Sequence, residues 1–361
     1  MKIQIKKTIR TLLTVILIAA ITITTSAPAC AKTSSKISLS LNGRRAIIMD
    51  MDTGEVLYSK NAKTKCHNAS TTKLMTAVVA VEKNKSLNKK VTISGKAAGA
   101  DGVSLSLGRG SRYSMKDLLH GMLLPSANDC AIAVAEGTSG SVDKFMKEVN
   151  KKVKKLGCKN THFDTPNGLR SGNPHYTTAY DLALIMRYAY QNDTIRKILQ
   201  KKSYSFQSTG GRRHSVKSTN YLLGSRDYYC VGKTGSGWTA KYCFTGVYTY
   251  KGHSYVIVTL GSAGDGQRFS DARKMISACR KDAKEVRKKL SLEKSSLEVK
   301  VGETVKAKVK GTKAAAQWSS KNEDIASVDE DGIITGIQTG STTIYAKIYG
   351  NTLKCKVRVV D

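Results

Sequence analysis

Acidic residues are scarce in this chain: 27 Asp and Glu stand against 60 Lys and Arg in 361 residues, a formal charge of +33. So large an excess directs attention to polyanions. The lysines are dispersed over the whole length with no recognition module beside them, so nucleic acid is not expected as a partner. Metal-ligand spacing is absent: neither C-x-x-C nor H-E-x-x-H occurs, which argues against a metal site, and nothing calls for a cofactor. After the N-terminal region there is no second apolar run of spanning length, so a membrane crossing is not expected.

That N-terminal region has the pattern of an export signal. Lys2, Lys6, Lys7 and Arg10 precede the apolar run Leu12 to Ile23, and small residues follow in "SAPACAK", with cleavage expected after Ala31. Removing these four basic residues leaves a charge of +29. The expected place of action is therefore extracytoplasmic and associated with the cell wall, where anionic wall polymers are natural counterparts, although a solubilising surface accounts for the basic charge equally well. Of eight cysteines, Cys30 leaves with the signal. The odd remainder speaks against a complete disulfide framework; Cys230 and Cys243 could bridge neighbouring strands, but buried free thiols are the expected state.

The mature chain reads in two parts, 34–290 and 291–361. "RAIIMDMDTGEVLYS" predicts two strands around Asp52-Thr53-Gly54. Helical patterns follow from about 70 to 200, with a break near Pro125-Ser126. Strands return in "YYCVGKTG", "KYCFTGVYTY" and "HSYVIVTLGS", and a basic helix is expected from Asp271 to about Leu290. Strands at both ends with helices between predict an α+β fold, an antiparallel sheet with helices on both sides. From Ser291 short alternating strands punctuated at Gly302, Asp331-Gly332, Gly340 and Gly350-Asn351 predict a small β-sandwich.

Chemistry enters at "NASTTKLMTAVVAVEK". From Leu74 to Val81 only Thr76 is not apolar, which predicts a buried helix. Ser70 stands at the expected N-cap, and Lys73 sits in the first turn, where dipole and burial both oppose its charge. Three residues apart, the two share a helix face. A serine hydroxyl needs a base, and a buried lysine near a second cation is a base once its pKa falls towards neutral. By itself S-x-x-K is too short to decide: a serine cap beside a lysine that snorkels to water accounts for it as well. Two further motifs follow in order, Ser126-Ala127-Asn128 and Lys233-Thr234-Gly235. The triplet S-x-x-K, S-x-N, K-T-G is the signature of penicillin-binding proteins and class A β-lactamases. In it, Ser70 and Lys73 are expected as nucleophile and base, and Ser126 as proton relay. Asn128, Lys233, Thr234, Gly235 and Ser236 are expected to bind substrate, the Ser70 and Ser236 N–H groups facing the oxyanion.

The stretches "ASTTKLMTA", "HGMLLPSANDCAIAVAE", "FDTPNGL", "HYTTAYDLALI" and "GKTGSGWTAKYCFTG" resemble the low-molecular-mass D-alanyl-D-alanine carboxypeptidases of the S11 serine peptidase type, from about residue 40 to 285. The resemblance implies a transpeptidase/β-lactamase-like fold and removal of the terminal D-Ala from peptidoglycan stem pentapeptides through an acyl-Ser70 enzyme, with β-lactam antibiotics as inhibitors. Residues 291 to 361 resemble the bacterial group-2 Ig-like domain. Two positions depart from the family pattern: Asn68 where a proline is common, and Gly232 where an aliphatic is common. Three rival readings are a D,D-endopeptidase, a β-lactamase and a non-catalytic wall-binding protein. No E-x-x-L-N string supplies a β-lactamase glutamate, and the intact triplet speaks against a purely binding role. Gly232-Lys233-Thr234 ends like a P-loop, but Asp227 stands where the first glycine must be. His67, His175, Cys66 and Cys130 are read as structural.

Overall fold

A computed structural model describes residues 37–169 and 172–361, so the expected signal lies outside the described residues. The first two strands, β1 (Arg45–Asp50) and β2 (Val56–Lys60), form the expected hairpin, with Gly54 at φ +73° in the turn. Three late strands, β3 (Val231–Gly237), β4 (Lys241–Tyr250) and β5 (His253–Ser262), join them in one antiparallel sheet of order β2-β1-β5-β4-β3. The first strand thus pairs with the last, from Arg45 opposite Leu260 to Asp50 opposite Tyr255. Alternate residues of β1 enter different cores: Ile47 and Met49 face one side, Ala46 and Ile48 the other. Coverage of both faces explains why "AIIMD" and "YVIVTL" are continuously apolar rather than alternating.

One face is covered by α1 (Lys73–Lys83), α2 (Met115–Leu123), α3 (Asn128–Ser139), α4 (Val142–Lys155) and α5 (Ala179–Gln191). Ser114, Ser141 and Thr178 accept backbone N–H groups at the starts of α2, α4 and α5, which satisfies otherwise orphaned donors. Leu74 to Ala80 are all buried, as the unbroken apolar run requires. The other face is covered by α6 (Asp265–Lys289), which starts six residues before the expected Asp271. Gly264 caps it, and helix continues through Gly266 because Arg268 and Phe269 are buried there.

The C-terminal part forms two facing sheets and a short two-stranded ladder of Ser291–Leu292 with Val309–Lys310. β6 (Ser296–Lys300), β7 (Gln317–Ser320), β8 (Gly340–Ile348) and β9 (Asn351–Val360) lie in the order β6-β9-β8-β7. Thr304–Lys306, Ile333–Gly336 and Ala326–Val328 make the second sheet. Val299, Ala307, Ala326, Ile334, Ile344, Cys355, Val357 and Val359 fill the space between them. Gly332 cannot carry a side chain, since a Cβ would lie 2.8 Å from the Trp318 ring. This module rests on the far end of the main sheet. Tyr349 stacks on His253 with ring centres 3.7 Å apart, and His253 in turn bonds Asp50 at 2.6 Å.

Seven described cysteines are free thiols, all buried except the half-buried Cys66. No described helix is long and apolar enough to cross a membrane.

Candidate active site

Ser70 is not an N-cap. It lies within a 3-10 turn, Ala69–Thr72, that runs directly into α1, and Ala69 before it is left-handed at φ +47°. The turn is held from below by Asn68, fully buried, whose amide donates to the hydroxyls of Thr71 (2.8 Å) and Thr72 (3.1 Å). Side-chain hydrogen bonds thereby supply the rigidity that a proline would give here. His175 braces the same turn. Its Nδ1 accepts from the Asp164 N–H, so its Nε2 carries the proton and donates to the Thr72 hydroxyl at 3.0 Å. Burial lowers the His175 pKa to about 3, which keeps the ring neutral and leaves it no role as a proton shuttle.

Lys73 has no exposed surface, and burial lowers its amine to about 7, against the opposing pull of the Asp129 charge. Its Nζ lies 2.9 Å from Ser70 Oγ, 2.7 Å from Asn128 Oδ1 and 3.0 Å from the Asn167 carbonyl. The two oxygens of Asn128 and Asn167 can only accept, so they fix two N–H bonds of the amine. Ser70 is the one partner of the three able to donate. When the amine is neutral its lone pair therefore faces the serine proton.

Asn128 cannot be turned over in this arrangement. Its Nδ2 donates to the Asp101 carbonyl at 2.6 Å, which assigns Oδ1 to Lys73. Next to it the buried Asp129 gathers Ser104 Oγ, the Leu105 N–H and the Leu107 N–H, holding the loop that forms this wall.

Opposite stands the second lysine. Lys233 on β3 is 1% exposed and donates to Ser126 Oγ and to the Thr234 carbonyl, both at 2.9 Å. Burial first, then Lys73 and Arg268, hold its amine well below the ordinary lysine value. Lys73 and Lys233 form a coupled pair: burial lowers both amines, and charge on one disfavours charge on the other. Ser126, between α2 and α3, is left-handed at φ +73° and buried. Such a conformation costs about 1–3 kcal/mol in a non-glycine residue, and here it aims the hydroxyl at Lys233 rather than at Lys73.

Gly235 is required by the fold itself. A Cβ there would lie 2.8 Å from the Asn68 carbonyl and 3.2 Å from the Ser70 N. The glycine lets β3, an edge strand, meet the turn that carries Ser70, and Ser236 beyond it is exposed. Gly232 has a similar reason: a Cβ would strike the Thr245 carbonyl at 2.2 Å and Phe244 Cζ at 3.0 Å. Phe244 fills the space an aliphatic residue would take.

The structure thus gathers Ser70, Lys73 and Asn128 into one bonded set and Ser126, Lys233 and Thr234 into another, joined where Gly235 meets the Ser70 turn. Sequence reasoning missed three contributors. The Asn167 carbonyl comes from the "FDTPNGL" loop, whose Asn-Gly pair marks a turn but not its target. Asp129 follows Asn128 directly and looks like an ordinary helix-start acid. Arg268 donates to the Gly235 carbonyl at 2.9 Å and pairs with Asp265, from a helical turn that the glycines concealed.

Comparison with known proteins gives the family. The family model described as D-alanyl-D-alanine carboxypeptidase matches residues 30–264, and that of the bacterial Ig-like domain (group 2) matches residues 287–354. The D-alanyl-D-alanine carboxypeptidase DacF of Bacillus subtilis is 32% identical over 271 residues, 73% of this chain and 69% of that protein. The D-alanyl-D-alanine carboxypeptidase of Streptomyces sp. strain K15 is 36% identical over 247 residues, 63% of this chain and 84% of that one. The crystal structure of the Streptomyces K15 DD-transpeptidase superposes with a TM-score of 0.63 at 32% identity, covering 67% of this chain and 98% of that chain. A chain that carries this bonded set on this sheet, and that matches over most of its length, belongs to the D-alanyl-D-alanine carboxypeptidase family of serine peptidases.

Proposed function

We propose that this chain removes the terminal D-Ala from peptidoglycan stem peptides ending in D-Ala-D-Ala, with Ser70 as nucleophile and Lys73 as its base. The observation that carries the reading is the three-way bonding of Lys73, which leaves its lone pair to Ser70. Attack by Ser70 Oγ on the penultimate carbonyl passes the serine proton to Lys73. The oxyanion meets the backbone N–H groups of Ser70 and Ser236, donors fixed before reaction starts. Ser126, which accepts from Lys233, acts as a relay: its hydroxyl proton passes to the leaving D-Ala nitrogen and is replaced by the proton that Lys73 took from Ser70, which returns Lys73 to the free amine. Water then cleaves the acyl-Ser70 ester with Lys73 again as base. The substrate carboxylate sits against Lys233 and Thr234, and its charge restores that of the Lys233 amine. An added peptide can run along the open edge of β3, with Asn128 beside its backbone. β-Lactams enter by the same acylation.

In this reading residues 1–31 direct export, 34–290 form the peptidase and 291–361 the Ig-like module. The enzyme acts outside the cytoplasm on the wall, held there in part by anionic polymers. The deciding experiment is mass spectrometry of a purified muropeptide mixture before and after incubation. Pentapeptides shortened by one D-Ala are expected; cleaved cross-links with intact pentapeptides would make the chain an endopeptidase.

Because the free amine of Lys73 is the acting form, acylation by a fluorescent penicillin should rise about tenfold per pH unit below roughly 7 and level off above it. The rate at pH 5 should be about one hundredth of the plateau. A flat profile from pH 5 to 9 in stopped-flow labelling would remove Lys73 as base.

Lys233→Ala should lower kcat/KM on the peptide by about ten- to a hundredfold, the worth of a charged hydrogen bond. Amidating the terminal carboxylate should cost a similar factor, and the two together little more than either, because they remove one interaction. Fully additive losses in steady-state kinetics would mean that Lys233 serves another group.

A further inference from the structure

The C-terminal module is nearly balanced in charge, with eleven Lys and Arg against nine Asp and Glu after residue 290. Its charges are nevertheless sorted. Glu323, Asp324, Asp329, Glu330 and Asp331 gather between β7 and the strand Ile333–Gly336. On β9, Cys355, Val357 and Val359 point into the core, so Lys354, Lys356 and Arg358 point outward from the middle of the four-stranded sheet. The register then sets their neighbours. Lys356 lies opposite Ser296 on one side and Thr343 on the other, and Arg358 lies between Glu298 and Ser341. Lys347 and Lys300 extend the same exposed face, and Glu298 is the acid within it. A shallow cleft of about 650 Å³ crosses this face, lined by Lys356, Arg358, Lys321, Ser296, Ser341 and Asn322 among others.

We infer that this face binds a linear phosphodiester polymer of the cell wall, of the polyol-phosphate class. The inference rests on the wall-acting role proposed above and adds the surface and the ligand chemistry. Cations flanked by hydroxyl and amide donors are the groups that hold phosphate oxygens, the cations supplying charge and the hydroxyls position. Outward residues on one strand stand about 7 Å apart, the order of one extended polyol-phosphate repeat, so successive phosphates can meet Lys354, Lys356 and Arg358 in turn. Duplex DNA fits less well, because its phosphates wind around a stiff cylinder and turn away from a flat row of side chains, whereas a single flexible polyol-phosphate strand can lie along it. The face lies on the module rather than on the peptidase, so wall polymer and stem peptide can be held at once.

The test uses the full chain and soluble poly(glycerol phosphate), with binding measured by calorimetry near physiological salt. Lys356→Glu with Arg358→Glu should weaken binding roughly tenfold or more. Lys147→Glu with Lys151→Glu, the same charge change on exposed positions of α4, should weaken it less than threefold. Unchanged far- and near-ultraviolet circular dichroism in both variants, with unchanged rates of penicillin acylation, would show that module and peptidase keep their folds. The pair Lys356→Gln and Arg358→Gln, which adds no negative charge, should lose an intermediate amount. Equal losses from the two charge reversals would reduce the effect to bulk charge and overturn the inference. So would tighter binding of duplex DNA or of a polyuronate than of poly(glycerol phosphate), or no binding by the parent chain. Failure of the parent to release D-Ala would instead strike the proposed activity and leave the polymer measurement standing.

Discussion

Lys73→Ala is expected to abolish acylation of Ser70, lowering the rate constant for labelling by a fluorescent penicillin by roughly 10²–10⁴-fold, the usual contribution of a positioned base. Lys73→Arg should fail equally, although it keeps the positive charge and most of the length. A guanidinium stays protonated at any usable pH, so it can donate to Asn128 and Asn167 but cannot take the serine proton. The two variants therefore separate a base from a mere cation. If Lys73 only balanced charge, the arginine variant would label at a rate near that of the parent, and that outcome would end the base assignment. Intact-mass measurement of the labelled fraction against time, with circular dichroism as a check on folding, reads both. Truncation to alanine leaves two buried carbonyl oxygens without a donor, so some loss of stability is expected with it, about 1–3 kcal/mol for each unsatisfied group. The loss of labelling should exceed anything that destabilisation explains, because it persists well below the melting temperature.

The residues that the structure brings together at the candidate site were legible in the sequence because chemistry restricts their type and order. S-x-x-K needs one helical turn of spacing, and Lys233-Thr234-Gly235 needs a strand, and both backbones are signalled locally by apolar pattern and flanking turns. The sheet was legible for the same reason, since Asp52-Thr53-Gly54 and Lys251-Gly252 mark its hairpins. What the sequence left hidden depends on contacts between distant segments. Nothing local shows that the Asn167 carbonyl reaches Lys73, a bond spanning 94 positions. Nor does the sequence show that Gly235 is demanded by the Ser70 turn rather than by substrate. The N-cap expectation for Ser70 failed because a 3-10 turn and an α-helix start share the same residue preferences, and the left-handed Ala69 has no signature of its own. The early start of α6 was hidden because Gly264 and Gly266 normally mark turns, and burial of Arg268 and Phe269 overrides that preference.

The ester formed with penicillin is expected to outlive that formed with peptide by a wide margin. Both arise from Ser70, since the lactam carbonyl meets the same nucleophile and the same backbone donors. They differ in whether water is activated against the ester. The loop that closes over Lys73 offers a main-chain carbonyl, from Asn167, and not a carboxylate. Asp164 on that loop donates its N–H to His175 Nδ1 and accepts at Oδ1 from Asn173. Deacylation thus falls to Lys73 and Ser126, which need the leaving-group side clear. A departing D-Ala clears it. The thiazolidine ring of an opened penicillin stays attached and keeps its carboxylate near Lys233, blocking the path along which water would enter. The penicilloyl adduct should therefore survive for minutes or longer while peptide turns over near once per second, a difference of about 3 kcal/mol or more in the barrier. Intact-mass spectra taken after a short penicillin pulse follow the adduct directly. Rapid return to the unmodified mass, with penicillin consumed in many-fold excess, would show that water reaches the ester by another route and would make the chain a β-lactamase in effect.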